Sequence, residues 1–174
     1  MDRIVGRSTS VLAVSEPGWA PSIAALAVGS ERAPVLVAVP TSTEAERLQR
    51  DLAVLLGEEQ VVAFPAWETL PFERISPSIE TMGRRLETMW LLSDPATAPK
   101  VVVAPVRSLI QRLGPEGVDA EPIVIGSGDM VDPTELMHRL VEIGYRREPQ
   151  VEHRGEVAIR GSIVDVFPST GDTG

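Results

Sequence analysis

Pro34-Val35-Leu36-Val37-Ala38-Val39-Pro40 is followed, three residues on, by Glu44-Ala45-Glu46-Arg47-Leu48-Gln49-Arg50-Asp51-Leu52-Ala53-Val54-Leu55-Leu56-Gly57, and this pair of segments decides the fold class. Five consecutive apolar residues between two prolines read as a strand buried on both faces. The charged stretch after it switches to helical spacing, with Leu48, Leu52, Leu55 and Leu56 on one side. Thr43 with Glu46 three residues on supplies a capping box at its start, and Gly57 a stop. Working outward, the same alternation repeats. Residues 11–14 (Val-Leu-Ala-Val) predict a buried strand, 15–18 a turn, and 19–28 an Ala-rich helix that tolerates Pro21 only in its first turn. Residues 61–64 predict a third strand. Ile79, Met82, Leu86, Met89 and Trp90 then recur at helical spacing, with Glu80 and Arg84 as an i,i+4 pair. Residues 100–104 predict a further strand feeding a helix over 106–113. Stacked βα units of this kind predict an α/β fold with a parallel sheet.

Gly114-Pro115-Glu116-Gly117 breaks the pattern and marks a boundary between a domain over 1–115 and a second over 116–174. The second piece predicts a strand at 123–125 and a turn at Gly126-Ser127-Gly128. A capping box follows at Asp132-Pro133-Thr134-Glu135, opening a helix lined by Leu136, Leu140 and Ile143 that closes at Gly144. From Glu156 to Phe167 the alternation is β-like, interrupted at Arg160-Gly161 by a bulge or a tight turn. The segment from 64 to 90 holds four of the seven aromatic residues and is too apolar to be solvent-facing filler; Trp67-Glu68-Thr69-Leu70-Pro71 is expected to cover the sheet edge.

Composition removes several classes of function. The 174 residues carry 25 acidic against 16 basic side chains, a formal net charge of -9, and 43% apolar content typical of a globular chain. Such a balance argues against binding held mainly by duplex phosphates. Fifteen of the basic residues are arginine, and the one lysine, Lys100, lies in Ala-Pro-Lys-Val, where no Walker A loop exists. Without cysteine there is no disulfide framework and no thiolate nucleophile. No apolar run is long enough to span a bilayer, and the N-terminal residues show no h-region, so a soluble cytoplasmic protein is expected.

Chemistry-bearing motifs are sparse. His138 and His153 lack a metal-ligand spacing, and no Gly-x-Ser-x-Gly elbow is present. The turn before the first helix, Ser15-Glu16-Pro17-Gly18-Trp19-Ala20-Pro21, puts a carboxylate and two prolines where phosphates would need backbone N–H donors. Neither a cofactor nor an enzymatic activity is expected. Arginine, by contrast, is segregated. Residues 1–143 hold 12 basic and 20 acidic side chains, whereas 144–161 hold Arg146, Arg147, Arg154 and Arg160 against three glutamates. Arginine is enriched at binding hot spots, and Tyr145 and Phe167 could supply an aromatic half. The same arginines also read as partners of Glu148, Glu152 and Glu156 on a solvated strand face.

Two longer stretches bear on that choice. Phe64-Pro-Ala-Trp-Glu-Thr-Leu-Pro-Phe-Glu-Arg-Ile-Ser-Pro-Ser, then Arg84-Arg-Leu-Glu-Thr, resembles the N-terminal UvrB-like module of bacterial transcription-repair coupling factors (Mfd). So do Gly144-Tyr-Arg and Arg154-Gly-Glu-Val-Ala-Ile-Arg-Gly-Ser-Ile-Val-Asp-Val-Phe-Pro, with Val103-Ala-Pro-Val-Arg-Ser-Leu between them. The resemblance covers nearly the whole chain. It implies a degenerate P-loop/RecA-like helicase-type domain, followed by a small α+β UvrA-binding domain expected to be truncated at Gly174. UvrB itself has an intact P-loop and a tyrosine-rich DNA-clamping hairpin, which this sequence does not show.

The implied function is a protein-docking module of transcription-coupled nucleotide excision repair that recruits UvrA without hydrolysing nucleotide. The alternative is a fragment of a UvrB-type ATP-dependent DNA-binding enzyme. RNA polymerase and DNA are implied as partners only of domains beyond this chain. The resemblance carries UvrA contact first to Arg160, which precedes Gly161, then to Arg146 after the Gly-Tyr pair, with Phe167 as apolar support and Arg147 and Arg154 beside them. Where UvrB has two arginines, this chain has Ala158 and Ile159 before Arg160.

Overall fold

A computed structural model describes residues 10–30, 33–69, 78–111 and 122–170. The first unit comprises α1 (Trp19–Gly29), β1 (Val35–Val39), α2 (Ser42–Leu56), β2 (Val61–Ala63), α3 (Ile79–Ser93), β3 (Val101–Pro105) and α4 (Val106–Ile110). The second comprises α5 (Pro133–Glu142), β4 (Arg146–Arg147), β5 (Glu156–Arg160) and β6 (Ile163–Val166).

The expected parallel sheet is present, with strand order β1-β3-β2. Central β3 lies parallel to both neighbours, Val101 facing Val35 on one side and Val61 on the other. All five of its residues are buried, as its unbroken apolar run demands. Val101 and Val103 point into a core made with Ala20, Ala24 and Ala27 of α1 and Ala45, Leu48 and Leu52 of α2. Val102 and Ala104 point the other way, to Phe64 and to Met89 and Leu92 of α3. The unit is therefore a three-layer α/β sandwich.

Several local expectations shift. Residues 11–14 form no strand; Val11 is 95% exposed, and the run lies outside both sheets. An apolar tetrapeptide signals burial only where a sheet offers it an edge. The α2 capping box forms two residues early: Thr41 Oγ1 accepts from Glu44 N–H at 3.2 Å, and Thr41 N–H donates to the Glu44 carboxylate at 3.1 Å. Both Thr-x-x-Glu pairs fit the pattern, and the earlier one adds half a turn of helix. The helix read over 106–113 ends at Ile110, and the boundary at 114–117 lies outside the described residues.

In α3 the fully buried residues are Thr81, Arg85 and Thr88; of the Met–Trp stripe, Met89 packs on the core and Ile79 and Leu86 are half-buried, while Met82 and Trp90 are exposed. Arg85 is 2% exposed, with its guanidinium 4.2 Å from the Phe64 ring centroid and 4.3 Å from that of Trp67. Its Nη1 donates to the Pro65 carbonyl at 2.6 Å, whereas Nε and Nη2 find no hydrogen-bond partner among the described residues. Burial disfavours the charged form and lowers its pKa from the ordinary arginine value.

The backbone of 65–69 forms no ladder and is instead pinned by side chains. Gln111 accepts from Trp67 N–H at 2.8 Å and donates to its carbonyl at 3.4 Å, and Arg107 donates to Thr69 O at 3.2 Å. The Glu68 carboxylate accepts from the hydroxyls of Ser78, at 2.7 Å, and Thr81, at the start of α3. Its burial alone would raise the pKa, but the Thr81 and Ser78 hydrogen bonds outweigh that and hold it below the usual carboxylate range.

In the second unit Asp132 caps α5, accepting from Thr134 and Glu135 N–H at 2.7 and 3.1 Å, with Pro133 in the first turn. Leu136, Met137 and Leu140 pack on Val157 of β5. Ile143 does not join them: α5 stops at Glu142, which takes Ile143 off the helical face and leaves it 52% exposed. Residues 123–125 are not a strand, although Ile123 packs on this core. Arg160-Gly161 resolves as a tight turn. Arg160 pairs with Ile163 across a two-residue loop, in which Gly161 has φ +65°, a value only glycine takes readily.

Arg85→Ala is expected to lower stability by about 2–4 kcal/mol, through a lost stacked cation, hydrogen bond and side-chain volume. Arg85→Met, which keeps the volume, should cost clearly less. Urea midpoints measure both; a parent-like midpoint for the alanine variant would remove the anchoring role.

Candidate partner-docking surface

The second sheet has strand order β4-β5-β6, with β4 parallel and β6 antiparallel to β5. Side chains alternate across it. Val157, Ile159, Val164 and Val166 face α5. The register then puts Arg146, Glu156, Ala158, Arg160, Ile163 and Asp165 on the opposite face.

This face is graded along its length. At one end Glu156 is buried, and its carboxylate accepts from the backbone N–H groups of Glu152 and His153 at 2.9 and 2.8 Å. Arg146 Nη2 and His153 Nδ1 each lie 3.4 Å from it. The two backbone hydrogen bonds outweigh burial, and the charges of His153 and Arg146 add to them, holding the Glu156 carboxyl below the usual carboxylate range. At the other end Arg160 is open, its side chain 63% exposed and paired only with the surface carboxylate of Asp165 among the ion pairs described.

The five residues singled out in the sequence therefore do not form one compact cluster. Arg160 stands at the hairpin tip. Arg146 and Arg147 are exposed on β4, on opposite sides of the strand. Arg154 and Phe167 are half-buried where this unit meets α3: the Arg154 guanidinium lies 5.8 Å from the Phe167 ring centroid, and its Nε is 3.9 Å from Glu80. Together with Arg146 they line a groove of about 440 Å³ whose far wall is Ser78, Ile79 and Glu80. Tyr145 faces the second unit's core, its hydroxyl accepting from Ser169 N–H at 3.3 Å. The junction is tight, since a side chain on Gly155 would collide with Ile79, and one on Gly83 with Ser169.

The reading of these arginines as partners of nearby carboxylates holds in part. Arg146 does pair with interleaved Glu156, but the partner of Arg160 is Asp165, which lies beyond all three of those glutamates, on the far side of the turn. Asp165 and Ile163 were missed because sequence order hides which residues flank Arg160 across a turn; the alternation of 156–167 carried that signal once the turn was fixed. Among the described residues no cluster of three His, Asp or Glu side chains is arranged to hold a metal ion, and no helix is long and apolar enough to cross a membrane.

Comparison with known proteins assigns this unit its class: residues 123–174 match the family described as the UvrB interaction domain. Over most of its length the chain is similar to transcription-repair-coupling factors, as the sequence motifs indicated. It is 40% identical over 161 residues to that of Mycobacterium tuberculosis, covering 88% of this chain and 13% of the relative. For Bacillus subtilis the identity is 32% over 157 residues, covering 89% and 13%. For Escherichia coli it is 32% over 136 residues, covering 78% and 12%. The chain thus spans roughly an eighth of the length of these relatives.

Because the folded-state pKa of Glu156 is depressed, its stabilising contribution is complete above the ordinary carboxylate value of 4.5 and is lost as pH falls through the folded value. The urea midpoint of Glu156→Gln should fall below that of the parent at pH 7, and the gap should narrow at pH 3. An equal gap at both pH values would show that the carboxylate charge is not its source.

Proposed function

We propose that this chain is a docking module of transcription-coupled nucleotide excision repair, which recruits UvrA through the open face of the second sheet and does not itself hydrolyse ATP. The observation that carries the reading is Arg160, held exposed at the tip of a hairpin within a UvrB interaction domain. Arg146 and Arg147 extend the cationic edge, and Arg154 and Phe167 contribute from the groove beside α3. The coupling role, and contact with RNA polymerase and DNA, would belong to a longer protein of the same kind acting in the bacterial cytoplasm.

The first unit reads as a degenerate RecA-like domain, supported by its parallel sheet with helices on both faces. Two features argue against a nucleotide there. In open α/β sheets ligands bind beyond the carboxyl ends of the strands, but Lys100 precedes β3, at the amino end. At the turn leading into α1, Glu16 is paired with Arg47 at 2.7 Å, setting a carboxylate where phosphates would have to approach.

Arg160→Ala should weaken binding of the purified chain to UvrA by about 2 kcal/mol, or roughly 30-fold, and Arg146→Ala by a smaller factor. Unchanged affinity in both variants would sink the assignment. Titration with ATP should give no saturable binding; micromolar affinity would instead favour a UvrB-type nucleotide-dependent enzyme.

A further inference from the structure

Ile163 is 59% exposed on the same face as Arg160, directly opposite it across the turn. Its neighbours on β6, Val164 and Val166, already supply the apolar side chains that meet α5, so Ile163 adds nothing to that core. The other apolar side chain of this face, Ala158, is fully buried, and the aromatic ring nearest to it in the chain, Phe167, lies under Arg154 beside α3. Near the hairpin tip the open face is therefore one large apolar side chain, one arginine and the carboxylate that holds that arginine.

We propose that Ile163 is the apolar anchor of the docking surface, seated in a pocket of UvrA while the Arg160 guanidinium beside it meets a carboxylate of the same partner. The inference rests on the reading of this face as the UvrA contact and adds a specificity residue to it. Continuity selects the occupant: cross-strand neighbours have Cβ atoms about 5 Å apart, so a protein that covers Arg160 cannot leave Ile163 in water. Covered by the partner, the pair would make a hot spot, a cation desolvated on binding and flanked by an apolar group that excludes water. Asp165 keeps the guanidinium extended along the face before the partner arrives.

The test compares UvrA affinities of the parent, Arg160→Ala, Ile163→Thr and Ile163→Val, with Val141→Thr as control. Threonine and valine keep the β-branched shape suited to a strand, and Val141 is an exposed apolar residue of α5. Ile163→Thr should weaken binding about tenfold, Ile163→Val about twofold or less, and Val141→Thr should match the parent. Parent-like affinity for Ile163→Thr alongside a loss in Arg160→Ala would overturn this inference and leave the UvrA reading standing. An equal loss in Val141→Thr would overturn it as well. A parent chain that does not bind UvrA would overturn both.

Discussion

A guanidinium held between two aromatic rings fixes the rotation of α3, and much of the molecule is arranged around that helix. Arg85 has Phe64 and Trp67 about 4 Å away, and it donates to the carbonyl of Pro65 between them. An apolar side chain would fill the same space, but it would leave Pro65 O without this donor and would accept any rotation of the helix. A planar, forked cation accepts one. The choice carries a desolvation cost, visible in the two donor atoms without partners among the described residues.

With Arg85, Thr81 and Thr88 turned inward, the opposite side of α3 carries Ile79 and Gly83, and these are the residues that meet the second unit. The helix thus bridges the pinned segment at 64–69 and the loop leading into β5. Gly155 and Gly83 permit the approach to be close. Glu80 completes it, shared between Arg84 on its own helix and Arg154 across the junction.

The sequence made the layers legible and the faces less so. Five apolar residues between prolines located β1, and the run read over 100–104 located the buried central strand to within one residue. Proline and glycine placed the ends of α2 and α5 within a residue or two. The failures share a cause. The apolar run at 11–14 has the composition of a strand, yet pairing depends on an edge supplied by other segments. The Met–Trp stripe of α3 has helical period and reaches the core through Met89, but the most buried positions went to two threonines and a stacked arginine, which hydrophobicity alone does not anticipate. On the proposed docking surface the arginines were visible as a charge segregation. Which of them are tied down was not, because Asp165 and Glu156 reach their partners across strands.

Those ties set different costs for recruiting each arginine. Arg160 and Asp165 are both substantially solvent-exposed, and an ion pair of that kind contributes little, so exchanging Asp165 for a carboxylate on a partner is nearly isoenergetic. Arg146 faces a buried carboxylate that also accepts two backbone hydrogen bonds, and withdrawing the cation leaves that charge less compensated. Arg47 and Arg84 are likewise paired within the first unit. The count of sixteen basic residues therefore overstates the positive charge available to a polyanion. Among the described residues, the arginine at the hairpin tip offers a directional contact, which suits recognition of a shaped protein surface better than a charged backbone.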